Sequence, residues 1–167
     1  MSQLAAVRAR ELLKYTLWAD RKVLAAVRHV EPEYLVREAG ASFGSLLGTF
    51  AHILGAEQVW LSRFVGNPIP LPDIADFPDL ETLEAGFEEL WPQLEFFLAS
   101  LDDAQLEAPI RWTNSRGETY TRQLWQAVVH MVNHSTYHRG QIVMLLRQMG
   151  YEPPSSDLIY FFPEADP

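Results

Sequence analysis

The sequence predicts an all-α fold: a four-helix bundle with a long crossover between helices 2 and 3, and a small hairpin or irregular loop before helix 4. Three observations predict it. Apolar residues recur at intervals of three and four over four stretches of the chain. Each stretch is bounded by a cap, a glycine or a proline. At roughly 22 to 30 residues, each would form a rod about 33–45 Å long, the dimension of a bundle helix. One domain spanning 1–167 suits the mass of 19.1 kDa.

The first helix covers about 2–30, with Ser2 as its cap and Leu4, Val7, Leu13, Leu17, Leu24 and Val27 on its apolar side; Glu31-Pro32 marks the exit. A second runs over about 42–65, carrying Phe43, Leu46, Leu47, Phe50, Ile53, Leu54 and Leu61, until Gly66-Asn67-Pro68 stops it. The proline-rich connection 66–78 reaches roughly 40 Å when extended, enough for a crossover along the bundle. Asp79 caps the third helix, about 79–101, in which Pro92 predicts a kink or break near Trp91. Between 102 and 120, the β-prone arms Ile110-Arg111-Trp112 and Glu118-Thr119-Tyr120 flank the turn-forming Asn114-Ser115-Arg116-Gly117. The fourth helix covers about 121–149 and ends at Gly150. The tail 151–167 carries Leu158-Ile159-Tyr160-Phe161-Phe162 and must pack on the bundle.

Hydrophobic residues make up 48% and charged residues 21%, a globular balance and not a disordered one. The absence of cysteine excludes disulfide scaffolds, thiolate zinc sites, iron–sulfur clusters and a cysteine nucleophile. With 13 basic against 22 acidic residues the net charge is −9, which argues against nucleic acid as a partner. Much of the acid lies between Asp73 and Glu107 and reads as a solvated face. No run approaches the roughly 20 apolar residues of a membrane span, and Glu11 and Lys14 interrupt any leader-like stretch. A soluble, cytoplasmic protein is expected.

The five histidines are His29, His52, His130, His134 and His138. A single histidine on an apolar helix face is usually a hydrogen-bonded core residue. Here three fall at i, i+4 and i+8 on the fourth helix, on the face that also carries Ala127, Met131, Gln141, Ile142 and Leu145. Two imidazoles four residues apart can converge on one metal ion at about 2.0–2.1 Å per bond. His52, on the apolar side of the second helix, supplies a third from a facing helix. His130 and His138 stand about 80° apart around the helix, so one ion does not readily take all three. One of them then supports the site by hydrogen bonding; the spacing does not say which.

The segment His130-Met-Val-Asn-His134-Ser-Thr-Tyr-His138-Arg-Gly-Gln141 resembles the signature of the DinB/YfiT-like family of metal-dependent enzymes, which is unlike the DNA polymerase of similar name. Tyr15-Thr-Leu-Trp18-Ala19-Asp20 resembles the family's first-helix pattern, with Asp20 where asparagine is commoner. His52-Ile-Leu-Gly-Ala-Glu-Gln-Val-Trp60 resembles its second-helix pattern, and Pro153 to Asp157 its ending. The resemblance implies that His52, His134 and His138 are the ligands and that His130 is a neighbour. It also implies the crossover bundle, assembly as a homodimer, and thiol-dependent chemistry in the wider superfamily with low-molecular-weight thiols such as mycothiol or bacillithiol.

Three neutral imidazoles leave a divalent ion its full charge, able to lower the pKa of bound water to near 7 or to activate a thiolate. Zinc or nickel leads, with iron, cobalt and manganese as alternatives. The expected activity is that of a hydrolase or a thiol-dependent S-transferase on a small molecule; the alternative is a non-catalytic metal-binding or stress-response bundle. His130, Tyr137 and Gln141 are candidates for hydrogen-bonding a ligand or a bound molecule. Glu57, about 140° around its helix from His52, is expected as a surface or interhelix charge. Gly140 costs its helix roughly 1 kcal/mol relative to alanine, which predicts close approach by another helix or the tail. Trp18 or Trp60 is a candidate for the dimer interface. Neither a Ser–His–Asp arrangement nor a phosphate-binding glycine loop is present.

Overall fold

A computed structural model describes residues 3–114 and 116–162, with side chains from residue 7 onward. The expected Ser2 cap, Ser115 of the turn and tail residues 163–167 lie outside them. Among the described residues the chain forms α1 (Gln3–Val27), α2 (Pro32–Val36), α3 (Leu46–Phe64), α4 (Leu80–Ser100), α5 (Asp103–Glu107), β1 (Pro109–Thr113), β2 (Thr119–Gln123) and α6 (Leu124–Gln148). Single 3-10 turns occur at Ile74–Asp76 and Leu158–Tyr160. No described helix is long and apolar enough to cross a membrane.

Local chemistry explains where the elements begin and end. Pro32 not only closes the first helical stretch; it opens α2, because its fixed φ suits the first helical position and its missing N–H is not needed there. α3 starts at Leu46, since the Ser45 side chain accepts a bond from the Gly48 N–H and so caps it. The Asp79 carboxylate accepts from the Thr82 N–H at 2.9 Å and opens α4. That helix runs unbroken through Pro92. The carbonyl left without a donor belongs to Glu88, which like Pro92 is exposed, so water takes the bond. A second carboxylate cap, Asp102, makes the short α5, which helical periodicity alone does not reveal.

β1 and β2 form an antiparallel hairpin that pairs Ile110 with Arg122 and Trp112 with Tyr120. Asn114 closes it, its side-chain oxygen accepting from the N–H groups of Arg116 and Glu118, and Gly117 turns at φ +80°. Because Thr121–Gln123 stay in the strand, α6 starts three residues later than its apolar pattern.

α6 sits at the centre of the packing. α1 and α3 lie against it, and α4 packs on α3 and α1 from the far side. Leu13, Leu24, Phe50, Leu54, Phe87, Leu94, Met131 and Leu145 fill the space between them. At Gly86 the core presses directly on the α4 backbone: a Cβ there would stand 2.5 Å from Leu54 Cδ2. The tail returns to α1 and α6, where Leu158 and Phe161 pack on Tyr15, Ala19 and Val132. The Tyr15 hydroxyl donates to the Ser156 carbonyl at 2.8 Å and ties it down.

Candidate metal centre

α3 is buried almost all the way round, so its few polar side chains must find partners inside the protein. His52 is one of them. Gly48, in the first turn of the same helix, lacks the Cβ that would collide with the Phe43 carbonyl. The preceding turn can therefore fold back, and the Phe43 ring stacks on His52 with centroids 3.7 Å apart and planes 17° apart.

α6 presents His134 and His138 to the same point. His52 Nε2 and His134 Nε2 are 3.2 Å apart. The three ring centroids are 5.0, 4.8 and 4.6 Å apart in pairs, and one nitrogen from each ring lies within 4.8 Å of the others. Two nitrogens bound to one ion at about 2.05 Å with a tetrahedral angle stand about 3.3 Å apart, so the His52–His134 spacing is that of two ligands. A hydrogen bond between these two rings would account for their approach but not for a third ring at equal spacing. The three histidines could hold a divalent ion.

Protonation favours this use. Burial, with the neighbouring imidazoles as the lesser cause, lowers the pKa of His52 and of His134 to about 4. Both rings are neutral at pH 7 and offer lone pairs. His138 is 6% exposed, and its Nδ1–H donates to Gln141 Oε1 at 3.2 Å. The Gln141 amide in turn donates to Ser42 Oγ at 2.9 Å. This chain sets the proton of His138 on Nδ1 and leaves the Nε2 lone pair free to bind an ion.

Three of the residues singled out from the sequence thus come together, and the others surround them. Each four-residue step on a helix overshoots a full turn by about 40°, which carries His130 off the cluster. Its ring lies 6.1 Å from that of His134 and 5.1 Å from that of Trp60, on the wall of a separate pocket. Tyr137 is exposed and stands edge-on to His138, with centroids 5.0 Å apart. Trp60 is enclosed by Trp112, His130 and Arg63 of its own chain. Ser42 and Phe43 hold the site from the loop before α3; the apolar pattern that counted Phe43 as part of the helix overruns that loop, which Gly40 and Gly44 mark.

Of the two expectations for Glu57, a surface or an interhelix group, the structure excludes the first and supports the second. It is no surface charge: it is 0% exposed, and its Oε1 accepts from Ser135 Oγ at 2.6 Å. Asp20, also fully buried, lies within hydrogen-bonding reach of it. Asp20 Oδ1 accepts from Arg139 Nη1 at 2.7 Å, while Arg139 also donates to Thr16 and Thr136. Asp20 Oδ2 and Glu57 Oε2 have no other donor, so one proton between them satisfies both. Burial and the charge of Asp20 push the Glu57 carboxyl well above the usual range, which places that proton on Glu57. A near-apolar helix leaves no solvated face for a glutamate, and that was the signal available in the sequence. Gly140 is also unlike its expectation, since a Cβ there would meet nothing within 4 Å.

A family model described as "DinB family" matches residues 1–165. The chain is similar to Protein DinB of Bacillus subtilis strain 168, with 26% identity over 163 residues, covering 92% of this chain and 94% of that protein. Its fold is similar to the crystal structure of a DinB-like protein from Bacillus cereus, with a TM-score of 0.62 and 23% identity over 85% of this chain and 91% of that one.

Proposed function

The chain belongs to the DinB family, and on that premise we propose that it is a metal-dependent enzyme in which His52, His134 and His138 hold one divalent ion, zinc or nickel. It acts on a small molecule as a hydrolase or a thiol-dependent S-transferase. The observation that carries this reading is the convergence of three imidazoles with no fourth protein donor among the described residues. A divalent ion so held keeps its full charge and supplies Lewis acidity toward water or a thiol. The chain does the positioning: Gln141 sets the tautomer of His138, Phe43 holds the plane of His52, and Tyr137 stands exposed beside His138, where its hydroxyl can meet an arriving molecule.

The same proposal takes the chain as a single four-helix bundle domain with a crossover, supported by α1 and α3 packing on α6 and α4. It takes the protein as a cytoplasmic homodimer; the family resemblance supports the dimer, and the cysteine-free composition supports the compartment. One observation favours a second reading. Phe43 stacked on His52 and the burial of His138 suit a closed site that binds metal without catalysis.

Cobalt(II)-substituted protein separates the two. With cysteine as the added thiol, an open position predicts a new thiolate-to-cobalt absorption band and altered visible bands. A spectrum that cysteine leaves unchanged supports the closed, non-catalytic site.

A further inference from the structure

One turn along α6 from the triad, a pocket of about 520 Å³ opens between the hairpin, α3 and α6. That volume suits a small organic molecule. Its walls are aromatic: Trp60 meets Trp112 edge-on at 5.2 Å, and Trp112 stacks on Tyr120 at 5.7 Å. His130 forms the end nearest the triad.

The pocket also holds two cations. The Arg63 guanidinium lies 4.7 Å over the Trp60 ring, and that of Arg122 lies 6.0 Å from the centre of the Tyr120 ring. Asn114, Gln126 and Ala127 complete the lining, and no aspartate or glutamate is part of it. Glu118 lies outside the lining but touches two of its members, accepting from the Tyr120 hydroxyl at 3.0 Å and from the Asn114 amide at 2.8 Å. Among the described residues, neither arginine has a carboxylate within ion-pair distance. Arg122 spends one N–H on the Thr121 carbonyl. Arg63 is partly buried, and the loss of water lowers its pKa. In a chain of net charge −9, two arginines left without carboxylates inside one aromatic pocket form a local cation site.

We propose that this pocket binds a small organic anion, its carboxylate held by Arg63 and Arg122 and its flat or apolar body lying against the rings of Trp60, Trp112 and Tyr120. A carboxylate matches the guanidinium fork, and a flat body matches the aromatic walls.

Calorimetric titration with phenylacetate, and with phenylacetamide as its neutral counterpart, tests the proposal. The proteins are the metal-loaded wild type and the Arg63→Gln, Arg122→Gln and His134→Ala variants. Phenylacetate is expected to bind about tenfold or more tighter than phenylacetamide. Each arginine variant should lose about tenfold for the acid and little for the amide, and His134→Ala should retain the preference. Arg122 is exposed on the hairpin, so its replacement tests the site without disturbing the core. Equal affinity for acid and amide, or no phenylacetate binding at millimolar concentration, overturns the proposal. Acid binding that disappears in His134→Ala but ignores both arginine variants also overturns it, placing the carboxylate on the metal and leaving the metal reading intact. Arginine-dependent binding in a wild type that takes up no metal upholds the pocket and refutes the metal centre.

Discussion

Replacing Asp20 with asparagine, or Glu57 with glutamine, is expected to cost little folding stability alone, and both changes together about 3–5 kcal/mol. The two carboxyls share one proton and one negative charge opposite a single buried guanidinium, Arg139, which is 1% exposed. In Glu57→Gln the new amide N–H2 takes the place of the proton and donates to Asp20 Oδ2, while its oxygen still accepts from Ser135. In Asp20→Asn the charge moves to Glu57, to which the new amide donates. The double variant leaves Arg139 with no anion at all, an uncompensated charge in the core. Urea unfolding of the four proteins measures the cycle; two small effects that simply add would refute the shared charge.

The same pair sets a pH dependence. Folded Glu57 keeps a proton that the unfolded chain releases above about 4.5. Its contribution is therefore complete below the ordinary carboxylate range and declines as pH rises through the raised folded value. Glu57→Gln should abolish that decline. His52 and His134 act in the opposite direction: in metal-free protein the unfolded chain takes up their protons from about 6.5 downward, the folded chain only near 4, so stability falls as pH is lowered across that window.

Metal should stabilise the fold strongly. Free ion at 1,000 times its dissociation constant contributes about 4 kcal/mol by mass action. For a domain of this size that raises the melting temperature by about 8–16 °C. The stripped protein should still fold, because its core from Leu13 to Leu145 is continuous without the site. Scanning calorimetry with zinc and with chelator reads the shift directly. The gain should be missing in His134→Ala and should fade at acid pH as protons compete for the imidazoles. Equal melting temperatures with zinc and with chelator would contradict a site that binds metal tightly.

The long helices were legible because each buries a stripe that repeats at helical spacing, and Asp79 and Gly150 announce two of their ends. The short α2 and α5 were not, since five residues are too few for a period and depend on a proline and a carboxylate cap. Of the kink or break expected at Pro92, the break does not occur, because the bond the proline removes is that of Glu88, an exposed residue. At the site, spacing brought His134, His138 and His52 into view but left His130 in contention. A 40° drift per step separates it, and only three-dimensional packing shows which way that drift points. For Glu57 the angle from His52 left surface and interhelix positions open, and the apolar character of the whole of α3 is what excludes the surface.

Metal content tests the central claim most directly. Plasma mass spectrometry is run on untagged protein purified without chelator, for wild type, His134→Ala and His130→Ala. One divalent ion per chain is expected in wild type and in His130→Ala, and none in His134→Ala. A wild type that stays empty after incubation with zinc, nickel and manganese would contradict the metal centre and leave the three histidines as polar residues of the core.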